Sequence, residues 1–406
     1  MQKRTILFVA GSIETVPAVK LANEMGLHTV VSDGNPNAAC FDIADDRIVA
    51  DTYNVSQSLQ QAMAYHRTVR PIDGVICVAS DVPLTVATIA QALGLQGISV
   101  TAAKLASDKL AMKERFVRDG VRVPWFTQVH SAASLKEVVA QKEILLIIKP
   151  VDSRGARGVI RLLRNVDLDW AYQQARAHSP TGRVMVEEFI EGPQVSTETL
   201  MLNGWAHTPG FSDRNYSLLE KYAPFVIEDG GDLPSNLPAE VQDKIRTLVQ
   251  KAAISMGVVH GVVKGDIVVR DGEPMVIELA ARLSGGYFCT HEIPMNTGVD
   301  LLGAAIRVAL NEVVAPEELT PRFMKCISQR YLFPKEGRVV AIEGVASVSK
   351  RPGMEFVEIK VKPGDIIGKM ESHPARAGLV IASGDTRAQA MERAAQAVQD
   401  IVVKVE

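Results

Sequence analysis

Asp266 and Glu278 stand twelve residues apart in the stretch 264–286, KGDIVVRDGEPMVIELAARLSGG, each beside a short apolar run. A carboxylate in such company is rarely left without a cation. One or two carboxylates, with phosphate oxygens completing the sphere, are what Mg²⁺ takes. Arg282 follows Glu278 by four residues and can aim a fork of donors at a phosphate or carboxylate. The turn Ser284-Gly285-Gly286 can bring backbone N–H groups close to an anion. A geometric condition attaches to this reading. Two short strands, 267–269 and 275–279, joined at Asp271-Gly272, form a hairpin. A strict two-residue loop pairs Asp266 with Ile277 and turns Glu278 to the other face. A shared metal therefore requires an odd-length loop or a bulge, for which Gly272 is the natural site. The alternative is a pair of strand-end acids facing water.

Further upstream, Lys149 ends the apolar run ILLIIK, where a lysine is costly unless it meets an anion. The loop after it, 152–158, holds Ser153, Gly155 and Gly158 with Arg154 and Arg157. Glycines with cations suit a lid over phosphates, although the Walker pattern GxxxxGK[ST] is absent; a basic surface turn reads the same way. Lys109 and Lys113 lie four apart on one helical face, which alone reads as a solvated face. The stretch 183–200 gives a strand, the pair Glu187-Glu188, Phe189-Ile190, a Gly-Pro turn and a second strand with Glu198. Such acids suit an adenine edge and ribose hydroxyls, or simply the edges of a plain hairpin. Glu228, Asp229 and His291 are candidate substrate contacts, with a structural role equally open.

These residues need elements to position them. Residues 1–100 alternate strand and helix, which predicts a parallel sheet with helices on both faces. Asp33 ends the second strand as a ribose-binding acid does in dinucleotide folds, but the first turn lacks GxGxxG, which favours a scaffold or substrate-binding unit. Residues 101–120 read as one charged amphipathic helix stopped by Gly120, and 205–238 as an irregular functional loop. Helices are predicted over 238–256 and 299–310. A last unit has short strands near 327–333, 344–348, 354–359 and 379–383, then a helix over 386–401. Within it, Arg376, Gly378 and Gly384 either close over a site from outside or form a structural turn.

Composition removes several classes. With 406 residues, 47% hydrophobic and 22% charged, the chain is globular and long enough for two or three domains. A net charge of -3 points to neither nucleic acid nor a membrane surface. Cys40, Cys77, Cys289 and Cys326 show no CxxC spacing, so neither a zinc site nor a disulfide framework is indicated. No apolar run reaches membrane-spanning length, and a cytoplasmic location is expected.

Taken in order, Lys109 in SDK, Lys149 in IKP, the glycine–arginine loop, Glu187 to Ile190, Glu198, Asp266, Glu278 and Arg282 resemble the ATP-grasp superfamily over nearly the whole chain. PFVIEDGGDLPSNLP, IELAARLSGG and RAGLVIASGDTRAQA look most like its L-amino acid ligase branch, near biotin carboxylase. The resemblance implies an α/β pre-ATP-grasp domain at 1–105, an ATP-grasp domain at 106–325 with a lid at about 124–200, and a C-terminal α+β domain at 326–406. It further implies that Lys109 and Lys149 contact ATP phosphates beneath a loop of Ser153, Gly155, Arg157 and Gly158. Glu187 and Ile190 would hold adenine with Glu188 nearby, and Glu198 would reach the ribose. Asp266 and Glu278 would bind Mg²⁺ (or Mn²⁺), and Arg282, with Lys149, would steady the transferred phosphate. Many members carry Asn two residues after the second metal acid; here it is Ala280, as in the amino acid ligase branch. The implied activity joins a small carboxylate to an amine through an acylphosphate, releasing ADP and phosphate. Alternative enzymes within the fold are a phosphoribosylglycinamide synthetase-like ligase and a biotin carboxylase-like carboxylase; the rival from another functional class is a non-catalytic ATP sensor that has lost turnover. Similarity to biotin carboxylase suggests a homodimer.

Overall fold

The computed structural model describes residues 3–406. Near the N-terminus, four parallel strands lie in the order Asp46–Val49, His28–Asp33, Thr5–Val9 and Gly74–Ile76. Their side chains bury on both faces: Ile6, Phe8 and Val31 against the helix Val16–Glu24, and Leu7, Val9 and Val30 against Val55–Thr68 and Pro83–Ala92. The doubly covered parallel sheet agrees with the alternation read from sequence; the strand Asp46–Val49 had not been anticipated. Asp33 accepts bonds from the Gly11 and Asn35 amides at 2.8 Å each, holding turns of its own unit.

Next comes an antiparallel four-stranded sheet in the order Phe126–Val129, Val184–Glu188, Leu146–Pro150 and Ile160–Arg161, backed by the helices Ala132–Gln141 and Leu168–Ala177. This sheet ends at Glu188; Gln194–Leu202, which the sequence reading assigned to the lid, belongs to the central sheet instead.

That central sheet has eight strands, ordered Glu273–Ala280, Gly261–Arg270, Gln194–Leu202, Trp205–Asn215, Gly230–Leu233, Cys326–Tyr331, Gly378–Gly384 and Met354–Ile359. The 205–238 segment therefore supplies two strands rather than an irregular loop. A register shift between His207 and Gly210 had obscured its alternation. The C-terminal strands continue the same sheet.

Two helical readings also change. The predicted helix over 101–120 breaks at Asp108, where the backbone is extended and the side-chain carboxylate caps Lys109–Arg118 by accepting from the Ala111 amide at 3.0 Å. Residues 345–348 form a helical turn after Gly344, not a strand, and the neighbouring strand is Gly337–Glu343. The helix Ala239–Met256 ends where read, at Gly257 with φ 84°.

Candidate active site

The hairpin meets its geometric condition by a route other than Gly272. Asp271 and Gly272 both take positive φ, 52° and 75°, so the turn is a tight two-residue one and Arg270 pairs with Glu273. The pairing then slips between Asp266 and Ile267, because Ile277 is an extra residue in its strand, and Asp266 faces Glu278 directly. The bulge is at Ile277. Both carboxylates now line one cleft of about 660 Å³, bounded by the four-stranded antiparallel sheet, the central sheet and loops of the N-terminal unit.

Each carboxylate has a cation. Glu278 lies 3.1 Å from the Lys109 ammonium, which also donates to the Ser153 carbonyl at 2.7 Å and so ties the glycine–arginine loop to the hairpin. Burial opposes the charge of Lys109, but Glu278 and Asp81 overcome it and raise its pKa. Asp266 lies 2.7 Å from Arg214 and also contacts Lys264. Burial works against its ionised form, yet these cations hold its pKa well below the usual carboxylate range.

Lys149 and Glu187 project from one face of the second sheet, since Ile147, two residues from Lys149, is in register with Glu187. They form an ion pair, and Lys113 joins them at 3.0 Å from Glu187. Lys113 is completely buried, so the solvated-face reading fails for it. Burial, with Lys149 nearby, brings its pKa down to about 8 despite Glu187. Glu188 pairs with Arg270, and Ile190 lines the cleft with Ile147, Val159, Val268 and Ile277. Ser153, Gly155 and Arg157 line it as well; Gly158 packs beneath the loop beside Pro150 and His178.

Three sequence candidates lie elsewhere. Glu198 is fully buried, accepts from the Ser284 amide at 3.1 Å and from its hydroxyl, and does not line the cleft, so it is not placed to reach a ribose. Burial pushes its pKa up to about 7 against the Ser284 bonds. Asp229 accepts from the Ser217 amide at 2.8 Å and holds that turn. His291 stacks among Tyr287 and Phe356, with ring centroids at 5.0 and 4.5 Å. Glu228 does line the cleft, 2.8 Å from Arg214.

Other cleft residues escaped the sequence reading. Asp81, from the N-terminal unit, binds the Arg282 guanidinium at 2.6 Å; burial and then the pull of Arg282 compete on its pKa, which ends lowered. Gln194 lines the cleft just past the Gly-Pro turn. His373 is half-buried at the cleft edge, and its backbone amide donates to the Gly155 carbonyl at 3.0 Å. Desolvation, then Arg376 and Arg214, push its pKa well below the ordinary value.

The lining thus joins apolar side chains from two sheets, lysines beside a glycine loop, and two carboxylates side by side. Comparison with known proteins agrees. Residues 106–286 match the ATP-grasp domain model, and residues 330–406 match the L-amino acid ligase C-terminal domain 2 model. The chain carries an ATP-grasp domain and an L-amino acid ligase C-terminal domain. It is an ADP-forming C–N ligase enzyme. An uncharacterized protein, y4rH, of Sinorhizobium fredii is 25% identical over 99% of this chain and 83% of its own length. A D-alanine–D-alanine ligase of Desulforudis audaxviator is 28% identical over 52% of this chain and 67% of that enzyme. The crystal structure of an L-amino acid ligase from Bacillus licheniformis superposes with a TM-score of 0.86 at 20% identity, covering 100% of both chains. Among the described residues, no helix is long and apolar enough to cross a membrane.

Proposed function

We propose that this ligase uses ATP and Mg²⁺ to join a small carboxylate to an amine through an acylphosphate, with its units divided near residues 105 and 325. The observation that carries the reading is the Ile277 bulge, which sets Asp266 opposite Glu278 on the cleft side of the hairpin. The donor set fits the metal. Among the described residues no group of three or more His, Cys, Asp or Glu could hold an ion, so the chain offers two carboxylates and leaves the remaining positions to phosphate and water. Ala280 lines the cleft and adds no ligand there. Asp266 and Glu278 would hold the ion, which when bound neutralises phosphate charge.

The rest follows from positioning and charge. Lys109 and Lys149 exchange their carboxylate partners for phosphate oxygens, and Arg157 covers them from the loop. Glu188 and Ile190 with the apolar lining would take the base, and Gln194 stands nearest in sequence to serve the ribose. Arg282, oriented by Asp81, faces the transferred phosphoryl group. The carboxylate oxygen attacks the γ-phosphorus and ADP leaves; the amine, having given up its ammonium proton to solvent, displaces phosphate from the acyl carbon and loses a second proton as the amide forms. Closure of the 152–158 loop keeps water from the acylphosphate.

Phosphate release with ATP and Mg²⁺, across amino acids singly and in pairs, tests this. Release requiring two substrates and reduced at least ~100-fold in Glu278→Ala is expected. No release with any carboxylate and amine, despite ATP binding, rejects the reading in favour of a sensor; release with bicarbonate alone makes the protein a carboxylase.

A further inference from the structure

The acids that line the cleft are almost all matched. Glu14 contacts Lys360, Asp81 meets Arg282, Glu187 meets Lys113 and Lys149, and Glu188 meets Arg270. Glu228 and Asp266 share Arg214, and Glu278 meets Lys109. Glu292 is the exception. It is 2% exposed, lines the cleft, and among the described residues its carboxyl group forms neither an ion pair nor a hydrogen bond. It ends the π-helical turn Phe288–Glu292, which begins just after Tyr287 in the left-handed region at φ 64°. Wide turns of this kind recur at functional sites.

An acid buried this completely without a partner costs stability and persists where a ligand supplies the partner. Every candidate cation nearby is engaged: Arg330 holds Asp232 at 2.9 Å, and Arg376 lies over the Tyr331 ring with its guanidinium 3.7 Å from the centroid. We propose that Glu292 is the receptor for a primary ammonium group on the substrate, in the part of the cleft walled by Phe288, Gln329, Tyr331 and Glu228. This inference rests on the ligase reading and names its substrate class as a primary amine that arrives as a cation.

Protonation follows. Burial first, then Glu228 and Asp232, raise the pKa of Glu292 well above the ordinary value, with Arg330 opposing; Tyr331, also buried, faces it. Wherever the free acid still carries its proton, binding an ammonium ion requires it to release that proton to solvent. Affinity for the amine rises with pH while both groups carry their protons and falls once both have lost them.

The test is calorimetric titration of the full-length protein, with Mg²⁺ and a non-hydrolysable ATP analogue present. The probes are glycinamide, L-alaninamide, L-leucinamide, L-phenylalaninamide and L-lysinamide, against their N-acetyl counterparts. Wild type should bind at least one free amide and discriminate against its acetylated form, with affinity that increases with pH while both groups carry their protons. Glu292→Gln should weaken that binding by on the order of 10- to 100-fold and abolish that increase. Glu292→Asp, which keeps the charge but shortens its reach, should fall between and serves where the Gln variant does not fold. Unchanged binding in both variants, equal binding of acetylated amides, or binding of no free amide overturns the proposal. Phosphate release from ATP itself, measured on the same proteins with amino acids singly and in pairs, separates the two readings, since amide binding through Glu292 without any release there keeps this site and removes the ligase.

Discussion

At the residue scale, the cleft is a set of charges that satisfy one another until a ligand intervenes. Glu187 lies between two buried lysines, and removing it leaves Lys113 and Lys149 facing each other without a counter-charge. Glu187→Ala should therefore lose about 3–5 kcal/mol of stability by denaturant titration, far more than an exposed pair would cost. A loss under ~1 kcal/mol would mean that water reaches the lysines. Glu198 makes a pH-dependent prediction. Its pKa rises from 4.5 to about 7 on burial, so the unfolded chain ionises first and wild-type stability falls as pH climbs through that interval. Between pH 5 and 8 the Glu198→Gln variant should gain about 3 kcal/mol relative to wild type. Parallel curves would show that Glu198 is ionised when folded. The acids and lysines next to apolar runs, Asp266, Glu278 and Lys149, were legible in the sequence because a charge in a strand needs a reason. Lys113 was not, since spacing alone cannot tell a buried helical face from a wet one. Asp81 and Glu292 were hidden for another reason: each reaches the cleft from an element whose own pattern says nothing of its neighbours.

At the element scale, the crossing from the second sheet to the hairpin is tight. A Cβ on Gly192 would sit 2.2 Å from the Val269 carbonyl oxygen, next to the bond that the Val269 amide donates to the Pro193 carbonyl at 2.9 Å. Gly192→Ala must push the hairpin away from Ile190 and Gln194. A stability loss of about 1–3 kcal/mol is expected, with weaker ATP binding measured by titration; unaltered binding would detach this crossing from the nucleotide. Elements with firm punctuation were readable, as in the helix stopped by Gly257. Those with interrupted periodicity were not. The strand Trp205–Asn215 slips register, and the helix over 101–120 is split by a capping aspartate that sequence spacing concealed. The need for a bulge could be derived from parity alone, but its place at Ile277 could not, because nothing in residue type marks an isoleucine as the extra residue.

At the scale of the whole molecule, the eight-stranded sheet is continuous from the hairpin to the C-terminal strands. Gly230–Leu233 pairs with Cys326–Tyr331, and Asp232, fully buried, binds Arg330 across that seam. A chain cut after residue 325 should aggregate, because it exposes this edge and strands the acid; a soluble monomer by size-exclusion chromatography would show that the remaining strands suffice. The same seam sets a clock during synthesis. Residues 326–406 are made after residue 325 leaves the peptidyl-transferase centre, which at about 5–20 residues per second takes some 4–16 s. Throughout that time, the nascent chain holds an open strand edge among crowded macromolecules or beside a chaperone. Yield in a host cell would then respond to how fast the stretch of message encoding residues 326–406 is read.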